Sequence, residues 1–284
     1  MTHYPRVDLD GAAVIVTGGA QGIGQATARA LAARGARVAI GDLDEIGAEK
    51  TAAELGGTGM LLDVTDTDAF ADFVARVEDE LGPVAVLVNN AGVMPNGGFL
   101  DLDPATDRLT IDVNLFGVVN GMRAVLPGMV ERGRGHIVNV ASLAGKFPVK
   151  GLAIYNASKY AVVGLTAATR LEFADRGVSI SAILPSAVDT ALASGLDMRP
   201  IPKVKPEAIA RAVVDSVGHR HAETAVPGYV GALAAAAALV PEPVLGGIRR
   251  AIRDDRAMRP DRAERIAYRT RLTEQSSHHE EITS

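Results

Sequence analysis

The chain has 284 residues, 48% of them hydrophobic, and a net charge of −5. That is enough apolar material for one substantial core, and it gives no general attraction to nucleic acid. There is no cysteine, which excludes disulfides and thiolate metal sites. The opening Met1-Thr-His-Tyr-Pro-Arg-Val-Asp8 lacks the apolar centre of a signal peptide, so a cytoplasmic location is the default expectation.

The first strand is expected at Ala13–Val16. It leads into Thr17-Gly18-Gly19-Ala20-Gln21-Gly22-Ile23-Gly24, and Ala26–Arg34 then has helical character. Read blandly, this is a tight turn. Between a strand and a helix, however, glycines let backbone approach a pyrophosphate, and the helix amino terminus favours its negative charge. The next strand, Arg37–Ile40, is followed by Asp42, roughly twenty residues after the glycine turn, where a carboxylate can accept from a ribose 2′-hydroxyl and would repel a 2′-phosphate. No Arg or Lys occupies Gly19, Ala20, Gln21 or Leu43, so NAD is favoured over NADP. Asp42 could equally cap the helix that follows, and both roles can coexist.

Further short, partly β-branched strands are expected at Gly59–Leu62, Val84–Val88, His136–Val140 and Val178–Leu184. Helical stretches lie between them. Asp68–Leu81 carries Phe70, Phe73, Val74 and Val77 on one face, and another helix begins near Pro104 and continues past Leu126-Pro127. This alternation predicts an α/β fold, a doubly wound parallel sheet of Rossmann type with ligands at the carboxyl ends of its strands. No linker interrupts residues 9–190, so the reading is one domain over residues 1–228 and a C-terminal helical extension over 229–284.

Ser142 precedes Tyr155 by thirteen residues, and Lys159 follows Tyr155 by four. An i, i+4 pair shares a helix face, so the ammonium can lie beneath the phenol. A free tyrosine, with a pKa of about 10, is a poor base. A neighbouring cation would lower that value, and a nearby hydroxyl would orient a substrate oxygen. Alone, the spacing also fits an ordinary surface pair.

With these motifs in this order, the chain resembles the short-chain dehydrogenase/reductase family, from about Leu9 to Thr190. Asp63-Val64 matches its adenine contact, and Asn89-Asn90-Ala91-Gly92 lines its cofactor cleft. Asn114 matches its active-site asparagine, and Ser142, Tyr155 and Lys159 its catalytic trio. The segment Pro185-Ser186-Ala187-Val188-Asp189-Thr190 matches the loop closing over nicotinamide, with Ser186 where the family usually has glycine, implying a stiffer loop. The resemblance implies an enzyme moving hydride between NAD and a secondary alcohol or ketone. Tyr155 would be the acid/base, and Lys159 would lower its pKa and bind the nicotinamide ribose. Ser142 would donate to the reacting oxygen, and Asn114 would hold a water leading to solvent. It also implies cofactor contacts from Gly18, Gln21, Gly22, Ile23, Gly24, Asp42, Leu43, Asp63, Val64, Asn90, Ala91, Gly92, Pro185, Val188 and Thr190. A homodimer, pairing the helices of Asn114 and Tyr155, is the minimum expectation. The family's glycine-rich ending is missing, which weakens the case for its common homotetramer. A non-catalytic dinucleotide sensor is the rival class, and it would not need all four of these residues.

Met94, Leu143, Phe147, Leu152, Ala187, Leu192 and Met198 are candidate substrate contacts; most are apolar and none is an arginine awaiting a carboxylate, so a lipophilic alcohol or ketone is expected. Ala191–Pro200 reads as a mobile substrate loop, Pro206–Val217 as a helix, and Ala225–Val230 as a final strand. Tyr229–Val240 is apolar and alanine-rich, too short to span a membrane, which needs about twenty residues. It is expected to pack on the core or a partner, with membrane contact or a lid as alternatives. Nine arginines between Arg249 and Arg271 face Asp254, Asp255, Asp261 and Glu264, which reads as a solvated, salt-bridged helix. Thr273–Ser284 is expected to be disordered, and His278-His279 within it is not expected to bind metal.

Overall fold

A computed structural model of the chain describes residues 4–196, 203–237 and 263–283, together with residues 240, 243, 246 and 247. Met198, Arg249, Arg250, Arg253, Arg256, Arg259, Arg262, Asp254, Asp255 and Asp261 lie outside the described residues, as does Ser284. The described strands are β1 (Ala13–Thr17), β2 (Arg37–Asp42), β3 (Thr58–Leu61), β4 (Val84–Asn89), β5 (Gly135–Val140), β6 (Val178–Pro185) and β7 (Glu223–Val226). They form one seven-stranded sheet in the order β3-β2-β1-β4-β5-β6-β7, and every pairing is parallel.

Both faces of the sheet are covered, which explains why its central strands read as unbroken apolar runs. β1 is buried throughout, as is β6. Their side chains alternate between two cores. Ile15 packs with Phe70, Phe73, Leu109, Met122 and Met129 on one side, while Val14 and Val16 pack with Ala28, Leu31, Val213 and Val217 on the other. The first core lies under α3 (Thr67–Leu81), α4 (Pro104–Ile111), α5 (Gly117–Glu131) and α6 (Ala153–Phe173). The second lies under α1 (Gly22–Ala32), α2 (Glu45–Leu55) and α7 (Pro206–His219). Each fully buried large aliphatic side chain contributes about 1.5–3 kcal/mol.

Helix starts follow side-chain chemistry. Asp66 Oδ1 accepts from Asp68 N and Ala69 N, and Asp103 Oδ1 accepts from Ala105 N ahead of Pro104 in the first turn. Between α4 and α5 the helix passes through one π-helical stretch, Asp112–Phe116. Residues Pro104–Glu131 are long and apolar enough to cross a membrane by composition, but Leu109, Val113, Met122, Val125 and Met129 bury this helix against the sheet.

Two C-terminal expectations are corrected. The last strand is Glu223–Val226, and Tyr229-Val230 instead begin helix α8 (Gly228–Ala237). Thr273–Thr283 belongs to a C-terminal helix, Ala263–Thr283, rather than a disordered tail. Arg265, Leu272, Ser276 and His279 are buried on it, and partly buried Tyr268 lies between them, a spacing of three and four residues that makes one face. Leu272 joins the first core, and His279 Nε2 lies 2.9 Å from Asp112 Oδ2 in the π-helical stretch.

Candidate active site

In the sheet order, β1 is followed in sequence by β2 on one side, while β4 lies on its other side. The crevice at the carboxyl ends of β1 and β4 is therefore the topological switch point. The glycine turn after β1 sits there. Gly18 and Gly22 have φ of +66° and +60°, a conformation that disfavours any side chain. A Cβ on Gly24 would collide with the Gly18 carbonyl. No side chain caps the amino terminus of α1, and its first turn holds no acid, so its N–H groups are free of side-chain partners, a terminus that suits an anion.

Asn90 and Ala91 tie the β4 loop to the glycine turn. Asn90 Nδ2 donates to Thr17 O and Gly18 O at 3.0 and 2.9 Å. The backbone N–H groups of Asn90 and Ala91 donate to Thr17 Oγ1 at 3.0 and 3.1 Å. Asp42 Oδ2 accepts from Ala20 N at 2.9 Å, and its Oδ1 from Asp44 N at 3.1 Å. The cap of α2 is Asp44, whose Oδ1 accepts from Gly47 N, so Asp42 braces the turn and does not cap that helix. Asp63 Oδ1 accepts from the N–H and the hydroxyl of Thr65, and Val64 is buried beside Gly117. Gln21 is exposed and Leu43 half-exposed, while Ile23 packs on the second core. Pro185 ends β6, Val188 bridges Val204, and the Thr190 methyl lies 3.4 Å from where a Gly22 Cβ would be.

Tyr155 and Lys159 lie in the first two turns of α6 and are both buried. The Ser142 side chain lies near enough to the Tyr155 hydroxyl to draw its pKa down, and Ser142 Oγ accepts from Ala144 N at 3.1 Å. Lys159 Nζ lies 5.8 Å from the Tyr155 ring centroid and donates to Val140 O at 3.0 Å. A Cβ on Gly92 would fall 3.0 Å from Asn114 Oδ1 and 3.7 Å from Lys159 Nζ, so glycine keeps this approach uncrowded. Asn114, fully buried in the π-helical stretch, accepts from Val93 N at 2.8 Å and donates to Val93 O and Ser158 Oγ. Its amide protons are thus spent on protein, leaving one lone pair of Oδ1 for the water it was expected to hold.

The electrostatics correct one expectation. Burial pushes the Tyr155 phenol up to about 12, with the Ser142 side chain pulling the other way. The phenol's own burial outweighs the nearby cation, so Tyr155 stays above its ordinary value, and burial likewise lowers the Lys159 ammonium to about 8. Burial thus makes the phenol a weaker acid and the ammonium a stronger one.

Around Tyr155 an apolar cluster gathers Met94, Ala144, Leu152, Ala193 and Leu196, with Val149 and Leu192 against it. Of the expected substrate contacts, Met94, Leu152 and Leu192 are brought together there. Leu143 belongs to the first core, and Phe147 and Ala187 lie outside the cluster. Ala191–Ala193 is a 3-10 turn with Ala193 and Leu196 buried, so the described start of this loop is packed.

Arg265 and Tyr268 are the residues that sequence reasoning missed. Arg265, expected on a solvated face, is fully buried. Its guanidinium donates to Asn96 Oδ1 at 2.5 Å, to Leu192 O at 2.8 Å and to Met94 O, and stacks on Tyr268 at 4.3 Å. The available signal was the face repeat from Arg265 to His279. No group of three metal-ligating side chains occurs among the described residues.

A family model described as short chain dehydrogenase matches residues 12–199, and the chain belongs to that family. The oxidoreductase UcpA of Salmonella typhimurium is 38% identical over 234 residues, 80% of this chain and 87% of that protein. The dehydrogenase LinX of Sphingobium indicum, named for 2,5-dichloro-2,5-cyclohexadiene-1,4-diol, is 36% identical over 66% of this chain and 77% of its own length. The probable oxidoreductase EphD of Mycobacterium tuberculosis is 41% identical over 192 residues, and the chain spans about a third (32%) of its length. A crystallised family member from Burkholderia phymatum, in complex with NAD, superposes with a TM-score of 0.74 at 25% identity, covering 80% of this chain and 93% of that one.

Proposed function

We propose that the chain transfers hydride between NAD(H) and a secondary alcohol or ketone of lipophilic character, with Tyr155 as the proton-transfer group. The observation that carries this reading is the buried Tyr155 phenol, beside Ser142 and Lys159, at the carboxyl end of a sheet whose glycine turn is shaped for a dinucleotide.

The residues fit the cofactor. The open N–H groups of α1 suit its pyrophosphate, Asp42 its adenosine ribose, and the glycine-cleared space beside Asn114 and Lys159 its nicotinamide end. When bound, the cofactor supplies the hydride carrier and, in its oxidised form, a positive charge. Everything else falls to side chains. In reduction, neutral Tyr155 is already the protonated acid and gives its proton to the carbonyl oxygen, while Ser142 donates to the same oxygen. In oxidation Tyr155 must lose its proton, and the displacement from about 12 toward neutrality is the work asked of nearby positive charge, Lys159 included. The carboxylate of Asp42 supports NAD over NADP, and the apolar cluster around Tyr155 supports a lipophilic substrate. Exposed Phe116, Tyr160 and Leu171 on the helices of Asn114 and Tyr155 support pairing of two copies across those helices. A panel of secondary alcohols and ketones with NAD and NADP, followed by nicotinamide absorbance, tests the reading; no turnover of any member with either cofactor would refute it.

A further inference from the structure

The C-terminal helix brings to the substrate end of the cleft a phenol that the proposed chemistry does not use. Tyr268 Oη accepts from Met94 N at 2.8 Å. Its own O–H proton finds no acceptor among the described residues. A phenol that accepts one hydrogen bond still has a proton to give, and leaving it unpaired in a partly buried setting is unfavourable. The place is fixed by several contacts at once. Met94 packs in the cluster around Tyr155, and its backbone is gripped on both sides, N–H by Tyr268 and C=O by Arg265. Arg265 also donates to Leu192 O and stacks on the Tyr268 ring. Gly195 has no Cβ, which leaves room for the Arg265 backbone. The guanidinium is thereby spent on carbonyls and an amide and is not poised for a substrate carboxylate. Tyr268 is also close enough that its charge would oppose ionisation of Tyr155, and burial raises its own pKa, so it remains a neutral donor.

We propose that Tyr268 determines specificity by donating a hydrogen bond to a second oxygen of the substrate, so that the preferred substrates are lipophilic vicinal diols or hydroxyketones rather than simple alcohols. Arg265 is its positioning residue. The inference rests on the hydride-transfer reading for what happens to the substrate, but its own content is a binding preference. Calorimetric titration of the protein–NADH complex with 2-octanol and with octane-2,3-diol reads that preference without turnover. A single neutral hydrogen bond gives the diol an advantage of about three- to tenfold in Kd. Tyr268→Phe, which keeps the ring and its stacking on Arg265 but also removes the acceptor of Met94 N–H, is expected to weaken both compounds and to erase the difference between them. A wild-type protein that binds the two equally, or a Tyr268→Phe protein that keeps the full diol advantage, overturns the inference. If the diol preference is present and is lost in the variant, but no member of the alcohol and ketone panel turns over with NAD or NADP, the hydride-transfer reading fails and the Tyr268 donor stands.

Discussion

The proposed cofactor end and the proposed substrate end of the site are built by opposite means. The cofactor end is made of backbone: a turn with Gly18 and Gly22 at positive φ, open N–H groups on α1, and Asn90 and Asp42 spending their side chains to hold that backbone in place. Its parts follow strands directly: the glycine turn after β1, Asp42 at the end of β2 and Asn90 just after β4. The substrate end is made of side chains recruited from far along the chain. Met94 and Arg265 meet across 171 positions, and Tyr268 reaches the same residue from 174 positions away. Backbone geometry constrains residue type tightly, so the first end announces itself in sequence. Side-chain packing accepts many residues, so the second does not.

The largest expected effect lies at the junction of the two ends. Tyr155→Phe keeps the ring and removes the transferable proton. The kcat should fall about a hundred- to ten-thousand-fold while NAD affinity, followed by calorimetry, changes little. Near-parental turnover would break the assignment of proton transfer to this residue.

Next is the dependence of the substrate end on the C-terminal helix. Leu272 is buried in the first core and anchors that helix one turn beyond Tyr268. Leu272→Ala should cost about 2–5 kcal/mol locally. Because the helix also carries Arg265, KM should rise several-fold while NAD binding holds. A variant with unchanged KM would show that the substrate end stands without the helix. At the other end, Asp42→Ala removes a carboxylate that accepts two backbone N–H groups and faces the expected ribose. The loss should be about 10- to 100-fold in NAD affinity, from the roughly 1.5–3 kcal/mol of charged hydrogen bonds, with discrimination against NADP relaxed. A parent chain that already prefers NADP would reverse the cofactor assignment.

This division explains what could be read from sequence. The sheet and its helices were legible because strands buried on both faces are continuous apolar runs and the helices carry period-3.6 faces, as Val84–Asn89 and Phe70–Val77 show. Ser142, Tyr155, Lys159 and Asn114 were legible through spacing and resemblance, and the fold does bring them together. The pKa of Tyr155 was not, because the sequence displays the cation and hides the burial that outweighs it in the ligand-free chain. Arg265 was misread because a run of arginines normally marks a solvated face. Only its phase with Tyr268, Leu272, Ser276 and His279 separates it from the others, and that stripe is interrupted by polar residue types.

The smallest expected effect tests whether the two ends share one foundation. His136 is fully buried near the amino ends of β5 and β6, away from the cleft. Its ring nitrogens lie 2.8 Å from Ser179 Oγ and 3.0 Å from Ser216 Oγ. Burial, reinforced by the Arg220 guanidinium, holds its pKa well below 6.5. A base whose folded pKa is depressed contributes stability that is present above the unfolded value and is lost as pH falls through it. Below about pH 6.5 the unfolding free energy should therefore decline by up to about 1.4 kcal/mol per pH unit from this residue. His136→Gln, uncharged at every pH, should remove that component, so urea midpoints of parent and variant should converge between pH 7.5 and 5.5. If NAD affinity and KM both hold at pH 5.5 until global unfolding begins, the two ends rest on one cooperative sheet. A substrate end that fails first, with NAD still bound, would mean that the C-terminal helix detaches as a unit of its own.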